Sequence, residues 1–245
     1  MIKICIPSFN RWYTIKENTI NLVKDLWFEL YVFVEDENNF NNYSKELEWL
    51  NIKIIQTNTK KIAPKRNFIL NYFKEWDKIV MLDDDIKWMY YWVKWKELIK
   101  MSEDQIKKFI ELWFLYCEKN LIKLFWVYPI KNNFFMNKSI KNDWFIIWQF
   151  MWIIINNLRF DEIINSKEDY DFTLQNIKKF WAVARYQMIC LQAMWKKNNN
   201  KWWCNEYRND KTESEDFLYM KDKWWDYIRE NTKRKNEIII NKIIK

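Results

Sequence analysis

A chain of 245 residues that contains no glycine must make every tight turn and helix end from residues whose side chains resist a positive φ. The same chain carries 18 tryptophans. Average usage of about 7% glycine predicts roughly 17 glycines at this length, so the excess of one residue nearly balances the shortage of the other. The positions agree with the numbers. Trp27 falls between the helical pattern Thr14–Leu26 and the strand pattern Phe28–Val34, Trp49 between Tyr43–Glu48 and Ile52–Ile55, Trp76 between Asn67–Glu75 and Lys78–Leu82, and Trp181 after Phe172–Phe180. All four read as the residue just past a helix, where glycine is preferred and a large aromatic is not. The reading that follows is that most Trp letters stand where the working protein has Gly, as when a UGA codon decoded as glycine is translated as Trp. The alternative is a truly Trp-rich protein. Trp92 and one of Trp224 and Trp225 are the candidates for real tryptophan.

With 41 Lys+Arg against 33 Asp+Glu the chain carries a net charge of 41 − 33 = +8, and its length suits one domain of the larger sort. Cys5, Cys117, Cys190 and Cys204 show no CxxC spacing, and there is no histidine. Zinc fingers, Cys/His nucleophile pairs and Ser-His-Asp triads are therefore excluded. A reduced, cytoplasmic protein is the simplest expectation. The apolar stretch before Pro7 is too brief for a signal-peptide core, and the longest apolar run, 144–155, contains Gln149 and falls short of the ~20 residues that a spanning helix needs.

Strand and helix patterns alternate. Ile2–Ile6 reads as a buried strand, and Thr14-Ile-Lys-Glu17 as a capping box opening an amphipathic helix. Leu30–Val34, Ile52–Gln56 and Lys78–Leu82 read as strands, with helices over Tyr43–Leu50 and Pro64–Glu75. Four such alternations predict an open parallel α/β sheet over the first 100 residues. In such sheets ligands bind at the carboxyl ends of the strands, where Pro7–Arg11, Glu35-Asp36 and Asp83–Asp85 fall. Further on, the pattern predicts helices over Glu103–Cys117 and Tyr170–Phe180, and strands within Leu121–Pro129, Phe145–Ile155 and Val183–Cys190. We divide the chain into a domain over 1–210 and a charged helical tail over 211–245.

Asp83-Asp84-Asp85 is the strongest local signal. Adjacent carboxylates repel unless a cation neutralises them, and hard oxygen ligands suit Mg²⁺ or Mn²⁺ holding a diphosphate. The plainer reading is an acidic cap on the next segment. Glu168-Asp169-Tyr170-Asp171 precedes a helix and by itself reads as an N-cap with favourable dipole charges. In a chain without histidine, however, any deprotonation falls to a carboxylate, and one here could serve as general base. Ala63-Pro-Lys-Arg66-Asn67 puts cations at a helix N-terminus, the wrong end for the dipole, which points to a shared anionic ligand or else to a solvated charge pair. Lys201–Arg208, with its two Trp as Gly, becomes a flexible loop suited to closing over phosphates; otherwise it is a surface loop.

The order of these motifs resembles a GT-A glycosyltransferase of the family-2 type over residues 1–190. More narrowly, Trp126–Met136, Ile147–Ile153 and Lys201–Arg208, with Gly restored, resemble the phage TET-associated glycosyltransferases, a group thought to place sugars on hydroxymethylated pyrimidines in DNA. Asn133 departs from that pattern, where Pro would be expected. The resemblance implies a Rossmann-like nucleotide-diphospho-sugar transferase fold with a mixed, mainly parallel central sheet. It implies that Pro7, Ser8, Arg11 and Glu35 or Asp36 line the nucleoside pocket, that Arg66 contacts the base or diphosphate, and that Arg208 joins the donor site. Asp83 and Asp85 would form the DxD metal site, with Asp84 or Asp83 near the ribose, and Asp169 would be the catalytic base. The cofactor would be Mn²⁺ or Mg²⁺, the donor a nucleotide-diphosphate sugar, and the acceptor DNA. Two other readings remain open: transfer to a surface glycan or small molecule, and a non-enzymatic single-strand nucleic-acid binder that stacks bases on real tryptophans. The sequence leaves donor sugar, donor base and oligomeric state open.

Overall fold

Three apolar runs that are buried on both faces make the centre of the fold. Ile4, Cys5 and Ile6 of β1 (Ile2–Pro7) are fully buried, as are Val32 to Val34 of β2 (Glu29–Val34) and Ile79 and Val80 of β4 (Lys78–Leu82). Continuous apolar strands of this kind belong to parallel sheets covered on both sides. In the computed structural model, which describes residues 1–93, 97–147, 149–194 and 209–241, β1 lies between β2 and β4, parallel to both, and β3 (Ile52–Gln56) adds on the outside of β2.

The full sheet has ten strands in the order β3-β2-β1-β4-β9-β7-β10-β5-β6, with β8 (Ile140–Lys141) paired to β10. Between β4 and β7 (Leu124–Tyr128), β9 (Phe150–Ile154) runs antiparallel to both, so β7 runs with β4, and β10 (Ala184–Ala193) runs parallel to β7. The sheet is thus mixed and mainly parallel. Within the first 100 residues two strands were not foreseen, β5 (Ile86–Trp92) and β6 (Leu98–Lys100), and β5 pairs antiparallel with the distant β10.

The helices cover the sheet. Between β1 and β2 run α1 (Trp12–Ile15), a wide turn over Lys16–Ile20, and α2 (Asn21–Val23). The capping box foreseen at Thr14 is absent: the helix starts two residues earlier, with Arg11 as its cap residue. Next, α3 (Glu37–Glu46) starts well before the foreseen Tyr43, because Asp36 caps it by accepting from the Asn39 N–H at 2.8 Å. α4 (Ile62–Tyr72) carries Phe68 and Tyr72 against Phe33, and α5 (Glu103–Lys119), capped by Ser102 and Gln105, stacks Trp113 on Phe125 at 4.4 Å. α6 (Glu168–Phe180) stacks Phe172 on Phe160 at 4.1 Å. The foreseen charged tail is helical only as far as α7 (Asp210–Trp224). Beyond it β11 (Ile228–Glu230) and β12 (Ile238–Ile240) form a hairpin whose Ile228 and Ile238 are buried with Phe217, Met220 and Trp224. Among the described residues no helix is long and apolar enough to cross a membrane.

The tryptophans divide by environment. Trp27, Trp76 and Trp181 have φ of 61°, 72° and 65°, and their side chains stand in solvent. Trp181 closes α6 directly, whereas Trp27 and Trp76 lie in turns a few residues beyond their helices. Trp49 is exposed but has no positive φ, because α3 ends earlier, at Glu46. Trp92, Trp126 and Trp152 bury indole N–H groups with no acceptor among the described residues. By contrast, Trp88 donates to the Met101 carbonyl and Trp224 to Asp171.

Candidate active site

The carboxyl ends of β1 and β4 lie side by side, because the two strands are paired in register. Just past β1, Ser8 is buried and its hydroxyl donates to Asp84 Oδ2 at 2.5 Å, while lying 2.5 Å from the Tyr43 hydroxyl of α3. Arg11 donates to Asp84 Oδ1 at 2.5 Å and, more weakly, to Asp85 Oδ2 at 3.3 Å. Its own backbone N–H is held by the Tyr43 hydroxyl at 3.0 Å. Pro7 is the last residue of β1 and is buried.

The acidic triplet is held by its backbone. The Asp83 N–H donates to the Gln149 carbonyl at 2.9 Å, the Asp83 carbonyl accepts from Thr19 Oγ1 at 2.6 Å, and the Asp85 carbonyl accepts from the Met194 N–H at 2.8 Å. Of the side chains, Asp84 and Asp85 are engaged by Ser8 and Arg11 as described above. Burial pushes the Asp83 carboxyl up, with Arg66 opposing and Asp84 and Glu168 adding to the rise. Burial, then Asp83 and Asp84, push Asp85 up to about 7, against the pull of Arg11. Burial works against the charge of Arg11, but Asp84 and Asp85 overcome it and hold the guanidinium above its ordinary value. Asp83 and Asp85, both held above the ordinary carboxylate value, form a site that favours added positive charge.

On α4, Lys65 is fully buried and donates to the Ser8 carbonyl at 3.0 Å. Burial lowers it to about 8, and Glu35, Asp84 and Asp36 partly restore its charge. Of the acidic pair after β2, Glu35 therefore acts first on Lys65, while Asp36 Oδ1 is engaged in capping α3, which keeps its pKa below the usual range. Arg66 pairs with Glu168 Oε1 at 3.0 Å, both side chains buried, and the Arg66 Nε has no acceptor among the described residues. Because Arg66 and Glu168 both act on Asp83, α4 links the triplet to the first turn of α6, where Asp169 is buried and accepts from the Tyr170 N–H at 2.8 Å. Arg208 and the rest of Lys201–Arg208 lie outside the described residues.

Sequence reasoning thus named Ser8, Arg11, Arg66 and the triplet, which the structure gathers. It did not single out Tyr43, Lys65, Thr19 or Gln149. Lys65 stood in the quoted Ala-Pro-Lys-Arg-Asn motif, but nothing local to Tyr43 or Thr19 marks them, since each acts across more than thirty residues.

Beside the triplet lies a cavity of about 400 Å³ lined by Pro129–Asn133, Gln149 and Leu191–Ala193. Gln149 is buried there at φ 80°, and its side-chain oxygen has no partner among the described residues. A second cavity, of about 420 Å³, takes walls from Trp27, Trp76, Ile2 and Lys78 at the amino ends of β1 and β4, the end away from the triplet.

Among the described residues, no three acidic or cysteine side chains are grouped so as to hold a metal by themselves. A magnesium-type site does not require them: such ions commonly take one or two carboxylates and complete their shell with water and substrate phosphate. Asp83 and Asp85, crowded and reluctant to ionise, fit that part.

No protein-family model matches this sequence, and no curated protein matches it. Among solved structures, a mannosyltransferase of Pyrobaculum calidifontis in complex with GDP-Man and Mn2+ is similar, with a TM-score of 0.50 and 10% identity over 80% of this chain. The chain spans 58% of that enzyme's length. A 4-diphosphocytidyl-2C-methyl-D-erythritol synthase of Anaerococcus prevotii is similar at a TM-score of 0.44 and 11% identity, over 84% of this chain and 95% of its own. At such identity the likeness establishes the fold alone: an α/β, Rossmann-like nucleotide-diphospho-sugar transferase fold of the GT-A type.

Proposed function

We propose that this protein is a metal-dependent, inverting glycosyltransferase that moves a sugar from a nucleotide-diphosphate donor to an acceptor hydroxyl. The observation that carries the reading is the triplet Asp83–Asp85 at the carboxyl end of β4, with Asp84 and Asp85 buried, bound to the end of β1 through Ser8 and Arg11 and linked through Arg66 to the carboxylates that open α6. The fold supports it, as does the donor and metal bound by the mannosyltransferase of the same fold.

In this reading Pro7, Ser8, Arg11 and Glu35 form the nucleoside side of the donor pocket, and Asp36 supports it from the N-terminus of α3. Arg66 would contact the base or diphosphate and Asp84 or Asp83 the ribose, while Arg208, outside the described residues, is assigned to the donor site from the resemblance. Asp83 and Asp85 would hold Mn²⁺ or Mg²⁺, with Asp85 the more direct ligand, and the ion would offset the charge of the departing diphosphate. Asp169 takes the proton from the acceptor hydroxyl, whose oxygen attacks the anomeric carbon opposite the leaving group and inverts it. Arg66 pairs with the neighbouring Glu168, and Asp169 is the carboxylate assigned to the proton transfer. The cavity beside Gln149 suits the acceptor.

For the acceptor we propose a hydroxymethylated pyrimidine in DNA, in line with the resemblance to the phage TET-associated group and with the +8 charge, which favours a polyanion. We further propose that Trp27, Trp76 and Trp181 stand for glycine. Their positive φ supports this, since such backbone costs an ordinary residue about 1–2 kcal/mol and glycine nothing. The 1–210 unit is taken as the catalytic domain.

Calorimetry with GDP-mannose and UDP-glucose, with and without Mn²⁺, tests the reading. Metal-dependent binding is expected in the wild type and absent in Asp85→Ala; binding that ignores both metal and substitution would sink it.

A further inference from the structure

The first turn of α6 concentrates negative charge. Glu168, Asp169 and Asp171 are all buried, Asp161 lies just upstream, and the helix has no side-chain cap of its own at Lys167. The helix dipole favours acidic residues here, but buried carboxylates still need partners to offset their lost hydration. Arg66 answers Glu168 from α4; the other answers come from the C-terminal segment.

The same segment also fixes the approach to this turn, through Asp216 of α7. It is 5% exposed, and its Oδ2 accepts from the Asn165 N–H at 3.1 Å, the Ser166 N–H at 2.7 Å and the Ser166 hydroxyl at 2.6 Å. These fix the turn that leads into α6. About two helical turns further along α7, Trp224 donates its indole N–H to Asp171 Oδ1 at 2.7 Å, and Lys223 bridges Asp171 and Asp161 at 2.8 and 2.6 Å. The hairpin adds a third tie, Tyr170 to Glu237 at 2.7 Å. An apolar seam of Ile164, Leu174, Phe217, Met220 and Trp224 holds the two helices together apart from the main core.

We propose that residues 209–241 form a clamp that sets the position of Glu168 and Asp169, with Asp216 and Trp224 as positioning residues. This rests on the reading that Asp169 does the proton transfer. The clamp engages α6 and its lead-in through Asn165, Ser166, Tyr170 and Asp171, which flank Asp169, and so restrains the segment that carries it. A displacement of about 1 Å at such a group can cost on the order of a hundredfold in rate.

The test uses the full chain with Asp216→Ala, Asp216→Asn and Trp224→Phe. Amide exchange over 165–172 is expected to rise about tenfold or more in Asp216→Ala while exchange in β1 and β4 stays unchanged. Turnover of GDP-mannose or UDP-glucose is expected to fall roughly 10- to 100-fold with KM for the donor within about twofold. Asp216→Asn keeps one acceptor oxygen and should fall between; Trp224→Phe keeps the packing, loses the indole N–H and should show the same split at smaller size. Exchange and turnover unchanged in Asp216→Ala would overturn the clamp, as would a loss of turnover that only follows the unfolded fraction. If the wild type turns over neither donor, the functional reading falls, and the exchange measurement still decides the clamp.

Discussion

The Ser8 hydroxyl donates to Asp84 across 76 positions of sequence, at the place where the carboxyl ends of two paired strands meet. One hydroxyl thereby ties the first loop of the sheet to the acidic triplet, and Tyr43 holds it from the other side. Ser8→Ala should leave a buried carboxylate oxygen short of a donor, at a cost of about 1–3 kcal/mol. Urea denaturation measures this, and Tyr43→Phe, which removes both the contact to Ser8 and the acceptor for the Arg11 N–H, should also destabilise. Equal stability of Ser8→Ala and wild type would show that the bond carries nothing.

Asp169→Asn removes the proposed base while preserving shape. Turnover should drop roughly 10²–10⁴-fold with donor binding intact. A variant that turns over at the wild-type rate removes Asp169 from the chemistry.

Lys65 gives a pH signature. Its folded pKa, about 8, lies below the ordinary lysine value, so between there and about 10.5 the unfolded chain binds a proton that the native state has lost. Stability from this group must therefore rise with pH across that window, and the cost of burying the charge is present in full below it. The stability of the wild type relative to Lys65→Met should therefore increase from pH 7.5 to 10. A difference that stays constant with pH would mean that Lys65 is not perturbed.

Substitution of tryptophan by glycine should sort the letters. Trp27→Gly, Trp76→Gly and Trp181→Gly are expected to stabilise by about 1 kcal/mol each, because glycine takes positive φ at no steric cost. Trp224→Gly should destabilise by several kcal/mol, about 3–5 on the scale of buried aromatic truncation, because it loses both its seam packing and the bond to Asp171. Reading the gene decides separately: UGG at Trp27, Trp76 and Trp181 would end the glycine proposal.

What the sequence determined by itself is the set of local conflicts and their order. An apolar run ending in three aspartates, a buried strand ending at Pro7, and a missing glycine complement are properties of neighbours along the chain, and they placed β1, β2, β3 and β4 to within a residue or two. Helix starts were less legible: Asp36 and Arg11 were read for their charge, yet Asp36 is engaged as a cap and Arg11 begins α1. Only the tertiary structure brought β5 against β10, turned the tail into a hairpin against α6, and gave Asp83 its neighbours Arg66 and Glu168. The reason is physical. Burial and charge pairing depend on which distant groups share a low-dielectric space, and the pairing of strands across more than a hundred residues is set by the whole sheet rather than by any local pattern.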